Sequence, residues 1–479
     1  MARVTVPPSE TLEHCLSWLA TRDEGALPSL LLSAGPVTDD ARYCILAERP
    51  RFVVEGTPFG AMGGRFSVRD TTKGSTIAAE PIDRLFDVLR QIERDAGKRH
   101  SSVPGQSGSA ESLPFSGGWI GALGYDLAWS FEYGIPRYRE RTTTLPDIWL
   151  GFYEEPMVVD RTTGAVFGDA SAITAFSARD EQRVRPRFRA GSLRSAFHRE
   201  DYEAAVERVR RHCIAGDLFQ ADLTRRIEFD LEGDPRGLFE SLVERSPASH
   251  MAYLGLGDGR AVVSASPEEY LRIVDGTVRS RPIKGTRPRA DSPERDRELR
   301  DDLLASDKDI AELTMIVDLV RNDLGRIAEP GSVEVGAFPS VLELPQVWHL
   351  MADVRARVDA RHDVWDVIAA SFPAGSIVGA PKPMALEILE RVERSRRGFY
   401  TGAIGYLEPG GNATLSVAIR TAEVSEGRLR IGVGGGITAL SVPSEEFEET
   451  CDKARGFLLA LGAREDGVTV VGELDDSVD

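Results

Sequence analysis

Arg281-Pro-Ile-Lys-Gly-Thr-Arg287 is the stretch from which the rest of this chain is best read. Pro282 fixes its own φ and Gly285 frees the backbone two residues past Ile283. The segment therefore predicts a strand end running into a glycine turn, with Lys284 on the stiff part between them. Most lysines are solvated surface charges, but one held between Pro-Ile and Gly-Thr has little freedom to reach for water. If burial lowers its pKa, the side chain becomes a neutral amine and hence a nucleophile.

Working upstream, Ala261-Val-Val-Ser-Ala-Ser-Pro-Glu-Glu-Tyr270 reads as a strand entering a turn, and it places Glu268 16 residues before Lys284. On local grounds Glu268 and Glu269 are ordinary surface acids. Before them, Tyr202, Val206, Val209 and Cys213 recur at helical spacing and Gly216 ends the helix. A strand from Leu218 to Leu231 follows, and its alternation puts Gln220, Asp222 and Thr224 on one face. Gln220 taken alone reads equally well as a side chain bonded to backbone.

Downstream, Arg287, Arg289, Arg295, Arg297 and Arg300 are interleaved with Asp291, Glu294, Asp296 and Glu298, the pattern of a mixed-charge helix surface rather than a phosphate site. Asp309 to Asp323 is strongly helical, and Asp309 and Glu312 share a face of it. Near the other end of the chain Ser444 reads as the N-cap of a second helix. Glu446, Glu449 and Lys453 share one face of that helix; Phe447, Cys451, Ala454 and Leu458 share the apolar one. Such acidic faces are usually just solvated. Carboxylates on two helices can also hold a divalent ion, and Mg²⁺ favours that arrangement because it takes one or two carboxylates and keeps positions for substrate oxygens.

Towards the amino terminus the signals are shorter. A helix is expected around Leu12 to Leu19, strands at Leu30-Leu-Leu-Ser, Tyr43-Cys-Ile-Leu and Arg51-Phe-Val-Val, and a helix from Ile82 to Ile92. Residues 97–116 are rich in Ser, Gly and Pro and read as a mobile loop. Gly117 to Asp126 carries many glycines without the strand–GxGxxG–helix order of a dinucleotide site, so close backbone packing is the plainer reading. Residues 145–168 give two more strands. The Arg-rich segment 177–198 lacks apolar residues and reads as a linker between an amino-terminal half, 1–176, and a catalytic half, 199–462, with an acidic tail at 463–479.

Composition limits what such a chain can do. At 479 residues with 42% apolar content it can bury a large core, and a formal charge of −18 argues against nucleic acid and anionic membrane surfaces as partners. No apolar run reaches the roughly 18 residues of a membrane span, and the first residues lack a signal-peptide core. Cys15, Cys44, Cys213 and Cys451 form no CxxC pair and read as reduced thiols of a cytoplasmic protein.

Pro282-Ile-Lys-Gly-Thr286 resembles the signature of the chorismate-utilising enzymes, in the form carried by their aminodeoxychorismate-forming members; anthranilate-forming members usually carry alanine at the lysine position. Phe219-Gln220 resembles the family's Phe-Gln-x-x-Leu strand, Gly375-Ser-Ile-Val-Gly-Ala-Pro-Lys382 its Gly-Ser-Ile-Thr-Gly-Ala-Pro-Lys loop, and Tyr400 and Arg420 stand 20 apart as their counterparts do. The likeness is dense from about residue 200 to 462 and looser from about 28 to 165.

The resemblance implies a large α/β unit of the α+β type: two opposed antiparallel sheets in a β-sandwich, helices packed outside and the site at one end. It implies that Lys284 attacks C2 of chorismate while Glu268 protonates the departing C4 hydroxyl. Relatives that add water carry lysine where Gln220 stands, and glutamine is no base for water, so Gln220 fits ammonia. Glu312 and Glu449 fall on the family's Mg²⁺ ligands, with Asp309 and Glu446 behind them. Thr286, His349, Tyr400, Arg420, Lys453 and the backbone N–H groups of Gly434, Gly435 and Gly436 are expected around a dianionic substrate. In regulated members the amino-terminal half also holds an amino-acid site, which these residues do not locate.

No cysteine lies in a Gly-x-Cys-x-Gly elbow, so ammonia is expected from a separate glutamine amidotransferase subunit. Two other readings stay open: an enzyme making anthranilate or 2-amino-2-deoxyisochorismate, and a chorismate-binding regulatory subunit with little turnover. Lys284 speaks against the first, and the second is motivated by Val378 and Met384; the departures from the family pattern are Val378 for the usual Thr, Pro383-Met384 after the loop, and Leu313-Thr314 in the metal helix.

Overall fold

The strand Ile148–Tyr153 is apolar throughout because both of its faces are buried. Ile148 and Leu150 enter one core while Trp149 and Tyr153 enter another. Val53 and Val54, or Trp119 and Ile120, divide between the same two cores in the same way. Side chains that alternate between two cores place a layer on each side of the sheet. The computed structural model, which describes residues 2–38, 41–58, 64–100, 113–131, 145–178, 183–195, 198–344 and 347–462, shows what those layers are.

Two large sheets face each other. The first has 12 strands and runs from Ala2–Thr5 at one edge through Ser29–Leu32, His250–Gly257, Arg260–Ser266, Thr421–Ser425 and Arg428–Ile437 to the long strand Gln220–Gly233. The second has 11 strands; Glu269–Val274, Ala413–Val417, Ala403–Leu407, Gly118–Leu123 and Ile148–Tyr153 form its middle. Every pairing among the described strands is antiparallel. Ile45, Ala252, Leu254 and Val262 from the first sheet meet Val53, Ile120, Trp149 and Ile404 from the second, which makes the core between them. Helices Thr11–Ala20, Pro235–Arg245 and Pro443–Leu461 cover the outside of the first sheet, and Asp307–Gly325, Val364–Ser371 and Lys382–Val392 contribute to the largest core. This is the helix-covered antiparallel sandwich that the resemblance implied.

Both sheets mix strands from either side of residues 177–198: Ser29–Leu32 pairs with His250–Gly257, and Gly118–Leu123 with Ala403–Leu407. The segment itself is more than a linker. Phe188–Ser195 forms the edge strand beside Gln220–Gly233, and its low apolar content is what an edge strand facing water permits. Residues 145–168 give three strands, not two, because Met157–Asp160 and Ala165–Gly168 form a hairpin. The helix expected to end at Ile92 continues to His100, through the first residues of the expected loop; residues 101–112 and the acidic tail lie outside the described residues.

Between the sheets, Ser33, Tyr43, His250, Met251, Arg272 and Tyr406 line a cavity of about 70 Å³. A third, small sheet orders Ile283–Pro288, Val347–Met351 and Ser340–Glu343, and it carries Lys284.

Candidate active site

Lys284 stands on the strand Ile283–Pro288, opposite Leu350, and Thr286 stands opposite His349. The pairing shifts by one between them. Gly285, at φ +66°, is therefore a bulge inside a continuing strand and not the turn expected from the sequence. The bulge needs glycine for two reasons: its φ is left-handed, and a Cβ there would lie 2.9 Å from Asp309 Cγ and from Leu303 Cδ1.

The lysine is mostly covered, with 15% of its side chain exposed, and its ammonium donates to the Ser376 carbonyl at 3.1 Å and stands 3.7 Å from Asp222 Oδ1. Burial alone opposes the charge. Asp222, then Glu312, Glu268 and Glu449, outweigh it, so the Lys284 pKa is raised above its ordinary value. A neutral amine would have followed had burial dominated; with the four carboxyl groups near the nitrogen, their field dominates instead.

Ser376 ties the lysine to the acid. Its carbonyl accepts from Lys284 and its hydroxyl donates to Glu268 Oε1 at 2.6 Å. Glu268 sits in the turn between Arg260–Ser266 and Glu269–Val274, with only 5% of its surface exposed. Burial pushes its pKa up to about 7, against the pull of the Ser376 hydrogen bond and of Lys284. A carboxyl of that kind holds a proton near neutrality, as a general acid must. Its neighbour Glu269 turns the other way into a two-bond pair with Arg279. Sequence reading quoted Ser376 without giving it a role; nothing in the residue's spacing marks it.

Gln220 and Asp222 reach the same place from the first sheet. Asp222 pairs with Gly436 across the ladder, and a Cβ on Gly436 would stand 3.6 Å from Asp222 Oδ1 and 3.9 Å from both Gln220 Oε1 and Lys284 Nζ. The bare glycine thus leaves open the space these groups share. Both polar atoms of Gln220, Asp222 Oδ2 and His349 Nε2 are buried without a hydrogen-bond partner among the described residues. Four unmet polar atoms cost several kcal/mol in total unless a ligand meets them.

His349 Nδ1 lies 3.3 Å from the Gly285 carbonyl and 3.0 Å from the Thr286 hydroxyl. A carbonyl only accepts, so Nδ1 carries the hydrogen and Nε2 is left as an acceptor. Burial lowers the ring's pKa to about 4, keeping it neutral. Arg420 is close enough to His349 to add to that effect. Its guanidinium has no ion-pair partner among the described residues, burial lowers its pKa, and its backbone is held at φ +47°. A desolvated cation on a strained backbone is a natural counter-charge for an anion. Tyr400 is also buried, and its ring fills the room over Gly432, where a Cβ would come within 2.1 Å of it. Gly434 serves the sheet instead: its Cβ would strike the Leu223 carbonyl at 2.5 Å, so it keeps the two strands close.

The acidic helices converge from the open side. Glu312 on Asp307–Gly325 and Glu449 on Pro443–Leu461 both act on Lys284. A Cβ on Gly435 would stand 3.3 Å from Glu449 Oε1 and 3.4 Å from Glu446 Oε2. Burial raises the Glu312 and Glu446 pKa values. For Glu449 burial is outweighed by Lys453, whose ammonium lies 2.7 Å away and also donates to the Gly434 carbonyl. Lys308, which sequence reading did not single out, acts on Glu312, Glu446 and Glu449 alike. Asp309 is turned aside, 3.3 Å from Arg287.

These are hard oxygen donors without sulfur or imidazole nitrogen among them, the set that suits Mg²⁺. Among the described residues no three such groups converge tightly enough to hold an ion as they stand; Glu449 is engaged by Lys453 and Asp309 by Arg287. The helix carrying Glu446 is capped differently from expectation: Val442 is the N-cap and Pro443 begins the first turn, so Ser444 lies inside it.

The departures from the family pattern fall mostly away from this pocket. Val378 is wholly buried within the largest core, and its carbonyl accepts from the Asp222 N–H at 2.9 Å. Met384 is 41% exposed on its helix. Leu313 is buried in core, and Thr314 bonds back to the Ile310 carbonyl.

Comparison with known proteins places the chain in a family. The profile of the chorismate binding enzyme family matches residues 54–459. The chain is 39% identical to aminodeoxychorismate synthase component 1 of Salmonella typhimurium over 73% of its own length and 78% of that protein. It is 34% identical to anthranilate synthase component 1 of Streptomyces coelicolor over 90% of its length and 87% of that protein. Among solved structures, anthranilate synthase component I of Streptococcus pneumoniae superposes with a TM-score of 0.72 at 29% identity, covering 88% of this chain and 93% of the other. No helix among the described residues is long and apolar enough to cross a membrane.

Proposed function

The chain belongs to the chorismate binding enzyme family, and on that premise we propose that it converts chorismate and ammonia to 4-amino-4-deoxychorismate, a step towards 4-aminobenzoate. The observation that carries this reading is Lys284 itself, whose ammonium lies beside Asp222 and is joined through Ser376 to a carboxyl held protonated near neutrality. In this reading the amine attacks C2, the ring double bonds shift, and the C4–O bond breaks as Glu268 delivers its proton, so water leaves. Ammonia then bonds to C4 and the C2–Lys284 bond breaks. Gln220 stands beside the lysine with its amide unmet, a neutral hydrogen-bonding group where a base for water would otherwise be needed.

Arg420 and the neutral His349 face the substrate's anionic and hydroxyl groups. Glu312 and Glu449, with Glu446 and Asp309 near them, would hold Mg²⁺, which when bound supplies positive charge for a substrate carboxylate. The aminodeoxychorismate synthase relatives are named component 1, which fits a second, ammonia-supplying chain, a glutamine amidotransferase, for this protein in the cytoplasm.

A second reading, anthranilate formation, draws on anthranilate synthases of similar identity. The two differ in what happens to the enolpyruvyl group: it stays on 4-amino-4-deoxychorismate and leaves as pyruvate when anthranilate forms. Purified protein with chorismate, Mg²⁺ and ammonium is therefore coupled to lactate dehydrogenase. Chorismate consumption without NADH oxidation is expected; one pyruvate per chorismate would replace this reading with the second.

A further inference from the structure

A lysine nucleophile that begins as an ammonium ion must lose a proton before it attacks. Four carboxyl groups act on Lys284, but only one of them lies within ion-pair distance of its ammonium among the described residues. Glu268 has to hold its own proton for the leaving hydroxyl and is bonded to Ser376. Glu449 is paired with Lys453 at 2.7 Å, and Glu312 and Glu449 are the residues read above as holding Mg²⁺. Asp222 differs. Among the described residues it alone forms an ion pair with Lys284, at 3.7 Å, and its second oxygen has no partner.

Its backbone is clamped on both sides: the N–H donates to the Val378 carbonyl, and the carbonyl accepts from the buried Arg397 guanidinium at 2.5 Å. The carboxylate therefore keeps its aim at the lysine. The groups that face this pair are Glu268 from the turn, Glu312 and Glu449 from the two acidic helices, and Gln220 and Tyr400 from the sheet side.

We propose that Asp222 is the proton acceptor for Lys284, holding the lysine's proton for as long as the lysine is bonded to substrate. The inference rests on the reading of Lys284 as the nucleophile. The ammonium gives a proton to the Asp222 carboxylate, and the gap closes to hydrogen-bond length as substrate binds, as gaps of this kind do in Michaelis complexes. The neutral amine bonds to C2 while C4–O breaks, and Glu268 gives its proton to the departing oxygen. Ammonia bonds to C4 and the C2–N bond breaks, returning its electron pair to the lysine. The new C4 ammonium passes one proton to the Glu268 carboxylate, and the expelled amine takes its own proton back from Asp222. Both carboxyl groups and the lysine end as they began, and the net change is chorismate plus ammonia to product plus water.

The test measures formation of the Lys284 adduct by mass spectrometry, with chorismate and Mg²⁺ but no ammonia, from about pH 6.5 to about pH 9, a range over which free amine rises. Wild type is compared with Asp222→Asn and Asp222→Glu. Wild type is expected to gain chorismate less water on the peptide carrying Lys284. Asp222→Asn must lose its proton to solvent, so its rate relative to wild type should be depressed at least about tenfold at pH 7 and should recover by up to about tenfold per pH unit. Asp222→Glu keeps a carboxylate and should hold a ratio that does not vary with pH. An Asp222→Asn rate equal to or above wild type across the range would show that Asp222 only stabilises the ammonium, and would overturn the proposal. So would an Asp222→Glu variant with the pH dependence of Asp222→Asn. Chorismate turnover by wild type with no adduct on Lys284 would overturn the nucleophile reading, and this inference with it.

Discussion

At the scale of single residues the site is governed by competing effects on charge. Lys284 and Glu268 share a buried pocket, yet burial wins only for Glu268. Its carboxyl is pushed up to about 7, while the lysine is held charged by the carboxylates around it. Glu268→Gln cannot deliver a proton, and turnover should fall roughly 10²–10⁴-fold. The same substitution should raise stability above pH 7. A carboxyl whose pKa is raised on folding stabilises below its unfolded pKa, and that contribution is lost as pH rises through the folded value. Glutamine mimics the protonated form and has nothing to lose. Urea denaturation at pH 6 and pH 8 checks this: the variant should gain on wild type at pH 8 by on the order of 2 kcal/mol. A variant that loses stability at both values would mean that Glu268 is ionised in the fold.

Much of this was legible in the sequence through the resemblance and little of it without. Glu268 read plainly as a surface acid and Gln220 as a side chain bonded to backbone, and His349 and Arg420 were picked out by the resemblance alone. Asp222 was seen on the right face of its strand, but its closeness to Lys284 depends on a pairing between Gln220–Gly233 and Arg428–Ile437 and on a third sheet. No local pattern encodes that.

At the scale of elements, the strand Arg428–Ile437 shows why glycine recurs beside the pocket. Gly432 makes room for the Tyr400 ring, Gly434 for the neighbouring backbone and Gly436 for the lysine's surroundings. Gly432→Ala should displace Tyr400, costing about 1–3 kcal/mol of stability and weakening chorismate binding; calorimetric titration would show the loss. Unchanged affinity would remove Tyr400 from the pocket.

The loop after Gly375 is anchored from behind by Lys382, buried 2.7 Å from Asp323 and bonded also to the Ser371 carbonyl. Lys382→Met leaves a carboxylate buried with, among the described residues, only the exposed-side Arg326 as partner, so a loss of about 3–5 kcal/mol is expected. Adding Asp323→Leu should recover part of it; two losses that simply add would show that the pair is not coupled.

Element boundaries were the weaker part of the sequence reading, for definite reasons. Gly285 was taken for a turn because glycine signals one, whereas strand partners on its far side hold it as a bulge. Ser444 has the chemistry of an N-cap, but Pro443 starts the helix a residue earlier. Phe188–Ser195 lacked an apolar pattern because it lies at a sheet edge.

At the scale of the molecule, the two sheets draw strands from both ends of the chain, so the site is assembled late in sequence and from distant pieces. Gln220 and Asp222, Glu268, Lys284 and Glu312, and Gly436 and Glu449 come from five separate elements and the turn that carries Glu268. The carboxyls of Glu93, Glu268 and Glu423 are each pushed up to about 7 by burial. All three favour the fold while protonated, and His349, with its pKa lowered to about 4, opposes them singly between about pH 4 and 6.5. Stability should therefore fall from about pH 5 to about pH 8; a denaturation midpoint that rises over that range would contradict the burial assigned to these groups.

The central claim is that Lys284 makes this a C4-aminating chorismate enzyme, and the identity of the product tests it most directly. Purified protein and a Lys284→Ala variant are each given chorismate, Mg²⁺ and excess ammonium at alkaline pH, and the products are separated by chromatography. The account predicts 4-amino-4-deoxychorismate from the wild type and loss of most of it from the variant. Anthranilate or an isochorismate-type product from the wild type, or an undiminished yield from Lys284→Ala, would contradict it.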